Sequence, residues 1–560
     1  MKDETRRDFL KKSLVLTGGT VAAYGALNGV LSGCTTKNTK EAGSTAAAGA
    51  NPNKRPNIVL IITDQQRQAQ HWPTGWLEEH MPTMERLQKN GVTFTNNYTA
   101  ATACSPSRAS FMTGVYPSVH GVKDTPPNPP MRSDITNIFK LAEQAGYDVA
   151  YKGKMHLFTP QGTPSEKYFS SYDIKWSSDQ YRFNRWNPPD CALDPGGGVW
   201  ISGGWPDNDT RFVSGVPDTF NRMNPAVGGG ETIMQYLDKH NPETDNPFLL
   251  VCSFGNPHDI SVWPDQEKWG YNKEDYVNLK EINLPSNYND DLKEKPVGQK
   301  EFQKLTDKTD PCPTEQDRTE YCRFYAHLHS VVDKQIADVL DKLDEKNLTD
   351  DTVIFRFADH GEQCWSHQMI QKGLNSYQET INVPLIISNP KLFPKGTSTS
   401  SFSSLIDLVP TVAELTGAAT ADELKRMGIN GKSLVPIMND PNASVRDNIM
   451  FYMEDFQHFF KEYLGTENIY ETLPGKIRSI RFEDWMYAVY FTNKGTKFQY
   501  EMYNLTDDPG EMTNLAWGSR KKANLSQMQN MHDRLTAELK TFKALPTEFQ
   551  WPAKAGTDSA

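Results

Sequence analysis

Asn57-Ile-Val-Leu-Ile-Ile-Thr63 runs directly into Asp64-Gln65-Gln66. A run of Ile, Val and Leu without polar alternation reads as a strand buried on both faces, the pattern of a parallel or mixed sheet covered by helices. Open α/β sheets collect their ligands at the carboxyl ends of the strands. The acid and the two amides after Thr63 therefore stand where such folds do their chemistry. Working outward, Tyr147–Lys152, Pro247–Ser253, Thr352–Ala358 and Val383–Ile387 read as further strands. Between them lie helical stripes. One spans Ile135–Ala145, with apolar residues at 135, 138, 141, 142 and 145. A longer one spans Tyr321–Leu343.

This alternation predicts an α/β fold with a large mixed or parallel sheet sandwiched by helices over residues 56–440. Residues 160–230 depart from it. They are rich in Trp, Tyr, Asn, Pro and Gly and read as an ordered, functional insertion. Beyond about residue 440, Ile477–Phe482, Trp485–Phe491 and Phe498–Tyr503 predict an antiparallel sheet with a terminal helix near 524–542. Together they form a smaller α/β subdomain over 441–545, followed by a tail to 560. No internal repeat is present.

The chain has 560 residues, a formal net charge of −11 and 23% charged residues. That balance argues against nucleic acid or an anionic membrane face as the main partner, so any anion-binding site must be local. The seven cysteines form no CxxC pair. Cys312 and Cys322 are spaced so that a short-loop disulfide is permitted but not required.

The N-terminus carries an address. Thr5-Arg-Arg-Asp-Phe-Leu-Lys11 matches the bacterial twin-arginine export signal, and an apolar stretch from Leu14 to Leu31 follows. It ends in Leu31-Ser-Gly-Cys34, which looks like a lipobox whose Cys34 becomes the acylated first residue. A membrane span is the competing reading, but four glycines within the stretch weaken it. Residues 1–34 are thus read as a lipoprotein signal and 35–55 as a flexible tether. The expected location is the cell envelope, periplasmic or outer-membrane, with contact to the membrane through the lipid only. No Asp follows Cys34, so inner-membrane retention is not signalled. Oligomeric state is not legible.

Four polar clusters lie at or just after predicted strand ends, with a fifth element at His258. They are Asp64-Gln65; Cys104-Ser-Pro-Ser-Arg108; Lys152-Gly-Lys154-Met-His156; and Asp359-His360-Gly-Glu362 with Lys372 downstream. Taken singly, the Asp could cap a turn, the Cys could be packing and the His could be structural. Pro106 suits a first helical turn, which would place Cys104 beside a helix N-terminus where anions are stabilised. Together the clusters supply metal ligands, cations, two histidines and a nucleophile. That is an inventory for cleaving a sulfate or phosphate ester. Composition and spacing do not choose between sulfur and phosphorus.

The run CSPSRASFMTGVYPSVHG (104–121) resembles the signature of the sulfatase family, in which C-x-P-S-R directs oxidation of the Cys to formylglycine. RPNIVLIITDQQR, GYDVAYKGKMHL, FADHGE, NVPLII and MYNLTDDPGEMTNLA resemble further family segments in the same order. The resemblance implies the alkaline-phosphatase-like fold. It also implies that Asp64, Gln65, Asp359 and His360 bind a divalent metal. Oxidised Cys104 would supply the hydrate hydroxyl that attacks sulfur, with Arg108 holding it. Lys154 and Lys372 would grip the sulfate oxygens, His258 would protonate the leaving alcohol, and His156 would assist collapse of the hydrate ester.

Gln65 and His360 depart from the pattern common in sulfatases and resemble choline-sulfatase-like enzymes and phosphonate monoester hydrolases. Ca²⁺ is the expected ion, with Mn²⁺ and Mg²⁺ compatible. The leading expectation is hydrolysis of a sulfated carbohydrate by an enzyme that depends on a sulfatase-maturation enzyme. Phosphonate monoester or phosphodiester hydrolysis is the second reading. An inactive surface protein that binds sulfated glycans is a remote third.

Overall fold

A computed structural model describes residues 55–125, 129–158, 171–187, 192–193, 200–201, 209–215, 231–393 and 396–556. The export signal, the lipobox, residues 35–54 of the tether and most of the 160–230 insertion fall outside these residues. No helix among the described residues is long and apolar enough to cross a membrane.

The elements that frame the site follow the chain. β1 is Asn57–Thr63, β2 Gly91–Phe94, β3 Ala101–Thr102 and α1 Cys104–Thr113. β4 (Asp148–Gly153) and β5 (Asn184–Asn187) precede a short helix, α2 (Thr210–Val213). β6 (Phe248–Ser253), α3 (Glu315–Glu345), β7 (Thr352–Ala358), β8 (Leu385–Ser388) and β9 (Thr397–Thr399) complete the large domain. β10 (Asn448–Met453), α4 (Gln457–Leu464), β11 (Lys476–Phe482), β12 (Trp485–Phe491), β13 (Phe498–Asn504) and α5 (Leu525–Thr541) form the C-terminal part.

The large sheet runs β9-β2-β8-β7-β1-β6-β4-β5. Only β8 opposes the common direction, pairing antiparallel with β7 and β2. β1 lies near the centre, as its unbroken apolar run predicts. Its side chains alternate between two cores. Ile58, Leu60 and Ile62 pack with α1 residues such as Ala109 and Phe111. Val59 and Ile61 pack with Val332, Ile336, Val339 and Leu343 of α3. Helix α3 starts six residues earlier than its apolar stripe, at a capping box made by Thr314 and Asp317. The helix read from Ile135 begins only at Ile138, because Asn137 accepts from the Phe139 and Lys140 N–H groups and caps it there.

Register places the site. β1 pairs in parallel with β7 along its whole length, ending at Thr63↔Ala358. Asp64 and Asp359 therefore leave the sheet side by side. Ser253 aligns with Ile62 on one side and with Gly153 on the other, which sets Lys154 one step beyond the same edge. Gly153 has φ +91°, and a Cβ there would lie 2.1 Å from the Ser253 carbonyl oxygen, so the position needs glycine.

The second sheet runs β13-β12-β11-β10-β3. Its last strand comes from the large domain: Ala101 and Thr102 pair in parallel with Tyr452 and Met453. α5 closes this sheet with Met528, Met531, Leu535 and Leu539 against Tyr487 and Val489. Cys312 and Cys322 are both free thiols, so the short-loop disulfide is not formed.

Candidate active site

All ten residues expected at the site converge on one point at the carboxyl edge of the large sheet. Each is 8% exposed or less, and Asp64, Gln65, Arg108, Asp359 and His360 are fully buried. So many polar groups cannot be buried together unless they satisfy one another or a ligand.

Cys104 opens α1, a helix whose ten residues are all buried. The chain enters it from β3, and the Ala103 N–H donates to Asp455 Oδ2 at 3.1 Å. Ser105 N donates to Thr125 Oγ1 at 3.2 Å, and Thr125 N donates to Asp455 Oδ1 at 3.0 Å. One turn into the helix, Ser107 Oγ donates to the Asp359 carbonyl at 2.6 Å, tying α1 to the end of β7. Cys104 Sγ faces the same cluster. It lies 3.1 Å from His360 Nε2, 3.8 Å from Asp64 Oδ1 and 3.6 Å from Lys154 Nζ. Burial, reinforced by the Asp64 carboxylate, pushes the thiol up to about 12.

Four of these residues, Asp64, Cys104, Asp359 and His360, bring one ligand atom each to within 4.8 Å of one another. The donor chemistry suits a divalent cation. His360 Nδ1 lies 3.0 Å from the Gly361 carbonyl, so Nδ1 carries the proton and Nε2 turns its lone pair toward Cys104. Burial lowers the imidazole's pKa, which keeps it neutral and able to ligate. The Gln65 amide is oriented from both ends: Nε2 donates to Glu362, and Oε1 accepts from Lys372. Glu362 is itself fixed by Tyr321 OH at 3.1 Å and by the N–H groups of Cys364 at 3.0 Å and Gln371 at 2.7 Å.

Arg108 forms the floor. Its Nη2 meets Asp64 Oδ2 at 2.9 Å and its Nε meets Asp359 Oδ2 at 3.0 Å. Nη1 donates to the Lys154 carbonyl at 2.8 Å and to Ser253 Oγ at 2.9 Å. The guanidinium thus spans four strand ends, and against the cost of burial the two carboxylates raise its pKa. Lys154 Nζ contacts Asp64 Oδ2 directly. Although burial opposes it, the cations Lys154 and Arg108 hold Asp64 well below the usual carboxylate range.

The two histidines complete the cluster. Burial first, then Lys372 and Lys154, depress His258 well below its ordinary value. His156 is depressed by burial and by Lys154 and Arg108, and adopts φ +57°. Ser261 Oγ lies 3.3 Å from His258 Nδ1 while donating to the His258 carbonyl at 2.9 Å. The hydroxyl proton is therefore spent on the carbonyl, so Nδ1–H is the donor to Ser261.

Sequence reading did not single out Asp455, Thr125 or Ser253, and placed Glu362 in the Asp359–Glu362 cluster without giving it a role. Asp455 lies 351 positions from Cys104 along the chain, and only the pairing of β3 with β10 brings it close.

The model of the family described as Sulfatase matches residues 56–418. The chain belongs to the sulfatase family. A second model, the C-terminal region of N-sulphoglucosamine sulphohydrolase, matches residues 366–541. The sulfatase chain is 27% identical over 506 residues to a choline-sulfatase of Rhizobium meliloti, covering 89% of this chain and 90% of that one. It is 24% identical to a Δ4,5-hexuronate-2-O-sulfatase of Bacteroides thetaiotaomicron, over 84% and 86% of the two chains. Among solved structures, one holding D-glucosamine-2-N,6-O-disulfate as its substrate aligns with TM-score 0.63 at 20% identity, over 88% and 98% of the chains. A phosphonate monoester hydrolase from Silicibacter pomeroyi aligns with TM-score 0.63 at 19% identity, over 88% and 96%. This sulfatase has the alkaline-phosphatase-like fold and is a hydrolase of sulfate esters, and family members use a metal ion.

Proposed function

We propose that this sulfatase acts on a sulfated carbohydrate in the bacterial cell envelope, with Cys104 oxidised to formylglycine as its nucleophile. The observation that carries the reading is the single cluster in which Asp64, Asp359 and His360 surround Cys104 while Lys154 and Lys372 flank it. Relatives named for hexuronate and N-acetylglucosamine sulfates support a sugar as the substrate.

Asp64, Gln65, Asp359 and His360 would hold the divalent metal, which when bound lowers the pKa of the attacking hydroxyl and polarises the sulfate. The three oxygen donors favour Ca²⁺, although the imidazole admits Mn²⁺. Lys154 and Lys372 bind the non-bridging oxygens and stabilise charge that grows in the transition state. Arg108 keeps the two carboxylates aimed inward. His258 gives a proton to the departing alcohol oxygen. An anionic ester between the lysines offsets their charge and raises the His258 pKa, so the acid is loaded by its own substrate. His156 takes the proton whose loss releases sulfate.

The test has three arms. Peptide mass spectrometry over residues 101–115, on protein made with a maturation enzyme, should show the aldehyde; an intact thiol would remove the nucleophile. Cys104→Ala should abolish turnover. The wild type should prefer 4-nitrophenyl sulfate to bis-4-nitrophenyl phosphate, and a panel of sulfated oligosaccharides should then name the sugar. The likeness to a phosphonate monoester hydrolase, together with His360, makes the diester the informative competitor.

Envelope location rests on Arg6-Arg7 and Cys34. Arg6→Lys/Arg7→Lys should block export, and Cys34→Ser should release the enzyme from membranes. Fractionation that leaves either variant in place would refute this part.

A further inference from the structure

Asp209 opens α2 inside the insertion and is 3% exposed. Its Oδ1 and Oδ2 each accept from Gly255 N at 3.0 Å, and Oδ2 also accepts from Asn256 N at 3.3 Å. A buried carboxylate that collects consecutive main-chain N–H groups fixes backbone rather than a rotamer, and such charge-assisted bonds are the strong ones. The backbone it fixes carries His258. Gly255 is held at its N–H by Asp209 and at its carbonyl by His258 N, 3.0 Å away. The next carbonyl, Asn256, accepts from Asp64 N at 3.3 Å. The loop therefore hangs between Asp209 and the end of β1.

Asp209 is itself well anchored. Its carbonyl accepts from Phe212 N and Val213 N, both at 3.3 Å. The Phe212 ring fills the space over Gly153, where a Cβ would lie 2.9 Å from Cζ, and sits 5.5 Å from the Phe254 ring. α2 is thus wedged between the ends of β4 and β6, the strands that deliver Lys154 and His258.

We infer that Asp209 is the positioning residue for His258, making the insertion part of the apparatus that delivers the leaving-group proton. The inference rests on the sulfatase reading, with His258 as the acid. It predicts a dependence on the leaving group. A phenolate that is already a good leaving group departs without a proton, whereas a more basic oxygen needs one. Misplacing the acid should therefore cost little for 4-nitrophenyl sulfate and much for aryl sulfates of more basic phenols.

Wild type, Asp209→Asn, His258→Ala and the double variant are compared across such a series. Asp209→Asn leaves one oxygen for the two N–H groups and turns an NH₂ toward the other. For this variant, kcat/KM should stay within about threefold for the nitrophenyl ester and fall at least about thirtyfold for the most basic phenol, within the range that general acids supply. The double variant should be no worse than His258→Ala. An equal fall across the series, no fall, or an additive double variant would overturn the inference. A flat series for His258→Ala would instead remove the acid assignment on which it rests. Asp209→Glu keeps the charge and moves it by one methylene. It should give an intermediate slope, and it serves if the Asn variant folds poorly.

Discussion

Arg108 shows how one residue can organise a site without entering the reaction. Its guanidinium joins Asp64, Asp359, the Lys154 carbonyl and Ser253, and no other side chain has the planar fork to reach all four. Arg108→Lys keeps the charge but loses that geometry. Calorimetric titration with Ca²⁺ should show binding weaker by about 10–100-fold, as for other groups that orient metal ligands; unchanged affinity would mean the carboxylates hold their own orientation. Glu362 belongs with Arg108, because it decides which end of the Gln65 amide faces the cations. Residue identity made the ligands and cations readable from the chain. Apart from Glu362, which shares a cluster with two ligands, nothing local marked the supports: a Thr in a proline-rich turn and an Asp in an aperiodic insertion carry no signal until the fold joins them.

At the level of single elements, α1 is wholly buried and depends on what lies beneath it. His120 packs there with Ser110 Oγ 3.0 Å from Nε2 and accepts from Val122 N at 3.2 Å through Nδ1. Ser110 Oγ gives its own proton to the Pro106 carbonyl at 2.7 Å, so Nε2–H is the donor and the imidazole is neutral. Burial lowers its pKa from 6.5 to about 3. Between these values the unfolded chain binds a proton that the folded one refuses, so stability rises with pH across the window. The contribution is complete above pH 6.5 and is lost as pH falls toward 3, by about 4–5 kcal/mol in all at about 1.4 kcal/mol per unit. Urea unfolding at pH 7 and pH 5 should show His120→Gln losing about 2 kcal/mol less than wild type between the two. Equal losses would contradict it. β1, β4, β6, β7, β8 and the last three strands were legible within a residue or two, from unbroken apolar runs in the large sheet and from alternation in the small one. β2, β3, β5, β9 and β10 were not read, and β3 could not be, since two residues have no period.

The molecule as a whole is less divisible than its two sheets suggest. Residues 56–440 contain every group of the site, yet among the described residues β3 has its one sheet partner in β10, and Asp455 fastens the turn into Cys104. A chain ending at residue 440 should therefore lose activity and should aggregate through the uncovered edge of β3 rather than survive as a smaller enzyme. A soluble, active 1–440 fragment, assayed by size-exclusion chromatography and turnover, would show that the second sheet is dispensable. The two matched family regions overlap between residues 366 and 418, which fits a chain whose halves share structure.

The parallel pairing of Ala101–Thr102 with Tyr452–Met453 also sets a clock. Cys104 is 1% exposed once the fold is closed, so the oxidation proposed for it would have to take place while β3 is still unpaired. β10 lies about 350 residues further along, which ribosomes take roughly 20–70 s to add. On that proposal, maturation would be a race against the arrival of the C-terminal sheet. Slower translation or delayed docking of that sheet should raise the fraction of enzyme that is active, without changing any residue of the site.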